Sequence, residues 1–268
     1  MVNSAPFPLT GRRRSDTFAS MPNFVPMRDY TMRLIDEMIA RYGLSEPFVD
    51  VGCGQGDVSL HIARRHDWVG VAVDSSPGAA TAAKRQLSGT RVAVEERPLG
   101  EIGGGFRTVI MSTVIEHIED DHAAIAQVRG LLPDEPGDGH LIISMPTNPT
   151  REWRWDDDFY GHYRRYTRSS VDHLLSSNGF EMLEFWDYTF PFFWAMRRAY
   201  TRAMPAKRPL DDVKEVNTAD SSLSSAWDAG TTTSLLSKMP VWPLVQRVQK
   251  HYRGGERGFE AIALAVTK

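Results

Sequence analysis

Five short apolar segments constrain the fold of this chain more than any other feature. They read PFVDVG, WVGVAVD, RVAVEE, RTVIMS and HLIISMP, and they all lie between residues 47 and 146. A polar or helical stretch follows each of the first four. Strands rich in β-branched residues that alternate with helices are typical of a parallel sheet with right-handed crossover connections. The pattern therefore predicts an α/β fold with helices flanking the sheet.

Two further strands and a long insertion follow this region. The sequence predicts a strand around Phe180–Trp186 and a last strand from Gly258 to the C-terminus, and the roughly seventy residues between them are too many for a hairpin loop. We therefore predict a flexible N-terminal arm at 1–26, a core at 27–186 and 258–268, and an insertion at 187–257. Within these parts we predict helices at Met27–Tyr42, Asp120–Leu132, Ser169–Ser177, Phe192–Ala203 and Leu235–His251, and a mobile polar stretch at Pro209–Thr232.

Composition narrows the class of partner. The formal net charge is −3 and 41% of the residues are hydrophobic, which indicates an ordinary globular protein without the basic excess typical of nucleic-acid-binding proteins. The single cysteine, Cys53, excludes an intramolecular disulfide, and Asp187 and Pro191 interrupt the most apolar stretch. We therefore expect a cytoplasmic protein with no nucleic-acid partner and no membrane span.

A glycine-rich loop directly follows the first strand. Residues 48–56 read FVDVGCGQG, so Gly52, Gly54 and Gly56 let the backbone pass close beneath a ligand, at which the following helix points its N-terminus. Asp74 ends the second strand, roughly 20 residues after the loop, where a carboxylate can accept both hydrogens of a ribose diol.

The spacing of the loop separates two cofactors. A dinucleotide loop reads GxGxxG, whereas the third glycine here comes one residue earlier. Asp50 stands two residues before the first glycine, where it suits a ligand with an ammonium group and would repel a pyrophosphate. A methionine-type amino acid joined to adenosine fits both facts. The alternative without a ligand is a tight turn in which Asp74 caps a helix.

These segments resemble a known enzyme family. DVGCGQG followed by VAVD resembles motifs I and II of class I S-adenosylmethionine-dependent methyltransferases. STVIEHIEDD, HLIISMP and GHYRRYT resemble the subgroup that includes ubiquinone-pathway O-methyltransferases and methyltransferases of bacterial glycan and natural-product clusters. The resemblance implies a Rossmann-like, seven-stranded, mostly parallel sheet with an antiparallel last strand, and S-adenosylmethionine as cofactor. It implies cofactor contacts from Asp50, Gly52, Gly54, Gly56 and Asp74. The further candidates for cofactor contacts, chosen by their position, are Cys53, Ser75, Ser76, Leu99 and Ser112.

Methyl transfer from a sulfonium is an in-line displacement, so the enzyme must place a nucleophile and, for a hydroxyl, remove its proton. His117, just after the fourth strand, and His162, in the loop after the fifth, are the candidate bases, with a narrow preference for His117. His117 can instead brace the following helix, and the loop can be a packed connection in which Arg165 pairs with an aspartate at 156–158. The predicted acceptor contacts are Glu116, Tyr163, Arg164, Arg165, Phe193 and Trp194.

We predict no catalytic metal. Some relatives, including small-RNA methyltransferases, hold a metal ion with an ExxEH segment and a further histidine, but Thr113 stands here in place of the first glutamate. Glu116 and His117 provide two ligands, which leaves a metal open only with His122 or a distant residue.

The aromatic residues of the insertion suit a cover over the acceptor. An aromatic lining fits a flat or lipid-linked substrate, whereas the alternatives are ordinary core packing and a weak membrane-surface contact through 190–194, Arg197 and Arg198. The sequence thus predicts O-methylation of a small natural-product, quinone-like or glycan intermediate. The alternatives are N- or C-methylation, a noncatalytic S-adenosylmethionine-binding protein and a nicotinamide-dependent oxidoreductase.

Overall fold

The computed structural model describes residues 26–203 and 240–268. The strands are β1 (Phe48–Val51), β2 (Gly70–Asp74), β3 (Val92–Glu96), β4 (Thr108–Ser112), β5 (His140–Pro146), β6 (Phe180–Asp187) and β7 (Glu260–Thr267). They form one sheet in the order β3-β2-β1-β4-β5-β7-β6. Strands β1 to β5 pair in parallel, and β7 runs antiparallel between β5 and β6. The predicted fold class and the antiparallel last strand are confirmed.

Helices connect and flank these strands. They are α1 (Pro26–Tyr42), α2 (Asp57–His66), α3 (Pro77–Gln86), α4 (Asp121–Arg129), α5 (Pro149–Glu152), α6 (Trp155–Phe159), α7 (Arg168–Ser176), α8 (Phe192–Ala203) and α9 (Trp242–Lys250). The predicted helix at 192–203 is confirmed to the residue. Within residues 26–203 and 240–268, no helix is both long and apolar enough to cross a membrane.

Parts of three predictions lie outside the described residues. These are the N-terminal arm apart from Pro26, the mobile polar stretch at 209–232, and residues 235–239 of the last predicted helix. The described part of that helix begins at Trp242, because Pro243 in its first turn has the fixed φ that a helix start accepts and needs no amide partner.

The core has one apolar layer on each face of the sheet. Strands β1, β4 and β5 are almost wholly buried, as near-continuous apolar runs predict for central strands of a parallel sheet. On one face Phe48 and Ile110 pack with Leu34 of α1 and its neighbours. On the other face Val109 packs with Ile125 of α4 and with residues of α7.

The strand order reverses between β1 and β4. Strands β2 and β3 lie on one side of β1, and β4 and β5 lie on the other. The connections that leave the carboxyl ends of β1 and β4 therefore diverge and leave a crevice, which is where open α/β sheets bind ligands. The glycine loop and the segment after Ser112 both begin at this edge.

The loop after β5 folds back over the same edge. Thr147 forms a parallel bridge with Tyr166, so the chain leaves the sheet and returns beside it. The amide of Tyr163 donates to the carbonyl oxygen of Glu116 at 2.8 Å, which ties the loop to the segment after β4. The loop thereby brings its own polar side chains to the crevice.

Candidate functional site

The glycine loop has a backbone that side chains would obstruct. Gly52 has a φ of +67°, and a Cβ there would lie 2.5 Å from Cγ2 of Val114. Gly54 and Gly56 also have positive φ, at 54° and 86°. Helix α2 starts directly after Gly56, which provides no side-chain cap for its first amides. The loop is therefore shaped for close approach of a ligand to the backbone.

Asp74 is held in place by the loop that it faces. The amide of Gly54 donates to its Oδ2 at 2.8 Å, and the amide of Ser76 donates to its Oδ1 at 2.9 Å. Burial raises the pKa of this carboxyl, and the two amide hydrogen bonds only partly offset the effect. Each oxygen keeps a further lone pair, so an ionised Asp74 can accept hydrogen bonds from a diol.

Asp50 lies buried in β1, with 1% of its surface exposed. Its pKa is raised to about 7, mainly by burial and also by the charges of Asp74 and Asp57, against the hydrogen bond that Ser59 Oγ donates at 2.6 Å. An ammonium group beside Asp50 would favour the charged carboxylate again. The residues that are present thus fit the amino acid part and the ribose of S-adenosylmethionine.

The other predicted cofactor residues lie at the ends of β1 to β4 or just beyond them. Cys53 is half-buried and its amide donates to the carbonyl oxygen of Val73 at 2.9 Å. Ser75 is exposed, whereas Ser76 caps α3 by accepting from the amide of Ala79. Leu99 is half-buried and begins a 3-10 turn after β3, and Ser112 Oγ lies 3.0 Å from Ser144 Oγ.

A comparison with models of protein families identifies the family of this chain. A family model described as a methyltransferase domain matches residues 26–184, more than half of the chain. The chain belongs to this methyltransferase family. It is a class I S-adenosylmethionine-dependent methyltransferase, as its motifs predict, and S-adenosylmethionine is its cofactor. Its place in the subgroup named above stays a prediction.

Solved structures share the fold of this methyltransferase. The putative sarcosine dimethylglycine methyltransferase of Galdieria sulphuraria is 11% identical with a TM-score of 0.57, over 88% of this chain and 84% of that one. Magnesium protoporphyrin IX methyltransferase of Synechocystis PCC 6803 with bound SAH is 16% identical with a TM-score of 0.51, over 93% and 90%. The [4+2]-cyclase SpnF is 18% identical with a TM-score of 0.53, over 88% and 80%.

These likenesses show the fold alone, because one fold can host several chemistries. A comparison with curated proteins gives no match. The acceptor must therefore be argued from the side chains of the methyltransferase itself.

Both candidate bases lie together just beyond the ends of β4 and β5. The rings of His117 and His162 are in an edge contact with centroids 4.8 Å apart. Glu116 completes the group, and one ligand atom from each of the three residues lies within 4.8 Å of the other two. More than forty positions separate His162 from Glu116 and His117 in the sequence, and the docking of the loop on the segment after β4 brings them together.

Their electrostatic environments differ. The pKa of His117 is lowered to about 3, mainly by burial and also by the neighbouring His162, while a hydrogen bond to the backbone of Tyr160 opposes the shift. Burial raises the pKa of Glu116 well above its usual range. A hydrogen bond with the backbone opposes this shift, and the charge of Glu260 adds to it. The Glu116 carboxyl is 1% exposed, and its Oε2 has no hydrogen-bond partner among the described residues.

A buried carboxylate holds His162. Nδ1 of His162 lies 2.8 Å from Oδ1 of Asp157, which also accepts from Nε of Arg165 at 2.7 Å. Burial raises the pKa of Asp157, but the hydrogen bond from His162 and the charges of Arg165 and Arg197 outweigh this and hold it at about 2. Sequence reasoning missed the pairing of Asp157 with His162, for which the only signal is the presence of both residues in one short loop.

The predicted acceptor residues of the loop have protein partners. Arg164 pairs with Asp121 at 2.6 Å, and Arg165 is buried between Asp157 and the carbonyl oxygens of Thr147 and Phe259. These pairings indicate that both arginines hold the loop, as the alternative of a packed connection predicts for Arg165. Contact of either arginine, or of the half-buried Tyr163, with an acceptor stays a prediction.

Helix α8 places two predicted acceptor residues. Phe193 is buried and stacks on Trp242, with ring centroids 6.1 Å apart. Trp194 is half-buried, and its Nε1 donates to Glu152 at 3.0 Å.

Two arginines of α8, Arg197 and Arg198, turn inward. Arg197 is 4% exposed and binds Asp156 and Asp157, and Arg198 binds Glu152 and lies over the ring of Trp194. This packing argues against the alternative in which both arginines meet a membrane surface.

Proposed function

We propose that this methyltransferase methylates a hydroxyl group of a small molecule, and that His162 takes the hydroxyl proton. The observation that supports the proposal is the 2.8 Å hydrogen bond between His162 and the buried carboxylate of Asp157, beside His117 and Glu116. A neutral alcohol is a poor nucleophile, so O-methylation benefits from a base within hydrogen-bond reach. Amine acceptors need positioning more than deprotonation.

The environments of the two imidazoles favour His162 over His117, although the sequence favours His117 narrowly. Because burial lowers the pKa of His117 to about 3, its ring takes a proton poorly near neutral pH. Asp157 is ionised there, and its charge can stabilise the positive charge that His162 gains with the proton. We propose that His117 shapes the site as a neutral ring.

The residues of the other half of the site would orient the cofactor. S-adenosylmethionine supplies a methyl group on a positively charged sulfur. We propose that Asp50 holds the ammonium group, that Asp74 holds the ribose hydroxyls, and that the glycine loop passes beneath both. The buried positions of the two carboxylates support these roles, because hydrogen bonds to a charged acceptor are strongest away from water.

Aromatic side chains support a flat acceptor, such as a quinone-like or natural-product intermediate. The resemblance to the subgroup also allows a glycan intermediate. Phe193 lies between Tyr30 and Trp242, with ring centroids about 6 Å apart in both contacts. The hydroxyl of Tyr30 is buried without a hydrogen-bond partner among the described residues. A polar atom of the acceptor would satisfy it, which pairs a flat apolar body with at least one oxygen or nitrogen.

One observation favours a second way to activate the hydroxyl. Glu116, His117 and His162 offer three ligand atoms to a divalent cation, which would lower the pKa of a bound hydroxyl. The distant residue that the sequence left open as a third ligand is then His162. Dialysis against a chelator followed by Mn²⁺ tests this route: a rate that falls and recovers supports the cation, and an unchanged rate supports His162 acting alone.

Turnover of a panel of phenols, alcohols and amines with methyl-labelled cofactor tests the proposed function. Mass spectrometry detects the product, and the carbon shift of the transferred methyl distinguishes an O-methyl from an N- or C-methyl group. We expect O-methyl products that are lost in Asp74→Ala and strongly reduced in His162→Ala. Products methylated only on nitrogen or carbon would contradict the proposal.

A further inference from the structure

Asp157 is the centre of a buried network in the loop after β5. Its carboxylate is fully buried, with 0% of the side chain exposed. Oδ1 accepts from His162 Nδ1 and Arg165 Nε, and Oδ2 accepts from Arg197 Nη2 and the amide of Arg154 at 3.0 and 2.8 Å. Four donors therefore converge on two oxygens.

The carboxylate of Asp157 determines which ring nitrogen of His162 carries the hydrogen. An ionised carboxylate has only acceptor sites, so the ring nitrogen that bonds to it must carry a hydrogen. Two buried guanidinium groups, which are always charged, keep this carboxylate ionised in spite of its burial. With the hydrogen on Nδ1, the neutral ring of His162 has its lone pair on Nε2.

We propose that Asp157 is a positioning residue that holds His162 in the tautomer with the hydrogen on Nδ1 and the lone pair on Nε2. This inference rests on the proposed function, in which that lone pair meets the acceptor. The four contacts also fix the plane of the carboxylate, and with it the orientation of the imidazole. Asp157 itself touches no reacting atom and acts through His162.

The insertion takes part in this positioning. Arg197 belongs to α8, and its Nη2 bonds to Asp157 and at 2.7 Å to Asp156. Arg165 comes from the loop itself, so the carboxylate is neutralised from two separate parts of the chain. The tautomer of His162 therefore depends on α8 remaining docked on the loop.

Asp156 provides a matched control. Asp156 lies next to Asp157 in α6, and both of its carboxylate oxygens accept hydrogen bonds from the guanidinium of Arg197, at 2.7 and 2.9 Å. Of these two aspartates, Asp157 is the one whose carboxylate lies within hydrogen-bond distance of His162 Nδ1. If Asp157 only held α8, substitution of either aspartate should affect the tautomer of His162 similarly. If Asp157 positions His162, only substitution of Asp157 should change that tautomer.

The test measures the ring nitrogens directly. The full chain is labelled with ¹⁵N-histidine and saturated with S-adenosylhomocysteine. Long-range ¹H–¹⁵N NMR spectra are recorded from neutral pH to well above the usual histidine pKa, and the spectrum of His162→Gln assigns the signals. We expect parent and Asp156→Asn to show the hydrogen on Nδ1 of His162. In Asp157→Asn the side-chain amide can donate to Nδ1, so a clear population with the hydrogen on Nε2 should appear.

Three outcomes would overturn the proposal: the hydrogen on Nε2 in the parent, a doubly protonated ring throughout the pH range, or an unchanged tautomer in folded Asp157→Asn. If Asp157→Asn does not fold, the parent spectrum alone decides. The measurement uses no acceptor, so it can succeed even where product analysis rejects O-methylation. The two proposals can therefore fail separately.

Discussion

At the scale of single residues, Asp74 is the proposed acceptor of hydrogen bonds from the ribose of the cofactor. The amides of Gly54 and Ser76 orient both carboxylate oxygens before any ligand arrives. We expect Asp74→Ala to weaken S-adenosylmethionine binding by about 1 to 3 kcal/mol, because two ribose hydroxyls lose a charged acceptor in a largely dry site. Isothermal titration calorimetry measures the difference.

The control for this variant is Asp67→Ala, which removes a carboxylate that is 85% exposed just after α2. It should bind the cofactor as the parent does. Unchanged affinity in a folded Asp74→Ala would remove the ribose assignment from this residue.

The effect of pH on the rate of the chemical step helps to distinguish the two histidines. An imidazole must be neutral to take a proton, so the rate falls as the pH drops through the pKa of the base. If His117 were the base, the fall would come only near its pKa of about 3. A parental rate that falls only in that range would support His117, whereas we expect His162→Ala to lower the single-turnover rate about a hundredfold.

His117→Ala is the paired variant, since its ring lies against that of His162. It should lose less of the rate than His162→Ala does, while both variants bind S-adenosylmethionine nearly as the parent does. If both variants keep parental rates and pH profiles, neither imidazole carries the proton.

The residues on the cofactor side could be predicted because their signals are local. Gly52, Gly54 and Asp74 follow strands that the sequence itself indicates, and a backbone amide then links Gly54 to Asp74. The partner of His162 could not be predicted, because three successive aspartates precede it and only the path of the loop selects Asp157.

At the scale of elements, the glycine loop after β1 packs closely against the segment after β4. Gly52 has a φ of +67°, and an added Cβ would lie 2.5 Å from Val114, which follows β4. We expect Gly52→Ala to lower the free energy of unfolding by about 1 to 3 kcal/mol more than backbone strain alone does, because the side chain overpacks the crevice. Urea denaturation measures this loss.

Gly43→Ala supplies the comparison, because Gly43 has a nearly equal φ of +65° and nothing lies within 4 Å of its added Cβ. Both variants adopt the same unfavourable backbone region, worth about 1 to 2 kcal/mol, but only one meets Val114. Equal losses of stability would show that the loop can move aside.

Long elements could be predicted from periodicity, and short ones could not. The apolar spacing of α1 and of α8 extends over several turns, so the bounds of both helices are confirmed almost to the residue. Helices α5 and α6 contain four and five residues, too few to show a period. Their positions depend on capping and on buried ion pairs, which form only after the loop has packed.

At the scale of the whole molecule, buried carboxyl groups predict how stability changes with pH. Burial, the largest influence on each, raises the pKa of Asp50 and Glu260 to about 7 and that of Asp187 to about 6. Unfolded carboxyls titrate near about 4, so the folded chain binds more protons between these values. His117, with its lowered pKa of about 3, acts in the opposite sense over part of this range, but the three carboxyls outnumber it. The free energy of unfolding should therefore fall as the pH rises from about 4 to about 7.

Asp157, with a depressed pKa of about 2, acts in the opposite sense and loses its contribution as the pH falls from about 4 towards 2. Urea denaturation across pH should thus show greatest stability in weak acid. Asp50→Asn should flatten the decline above that point. Stability that rises steadily to neutral pH in the parent would contradict the prediction.

The position of β7 has a consequence for how the protein is made. Strand β6 pairs with β7 in the described sheet, yet residues 188–259 must emerge from the ribosome before β7 exists. Until then the nascent chain carries β6 without its neighbour, an exposed edge of the kind that seeds aggregation. Translation that stalls within the insertion would yield a product with the whole cofactor loop but an open sheet, and such a product is a substrate for chaperones and proteases.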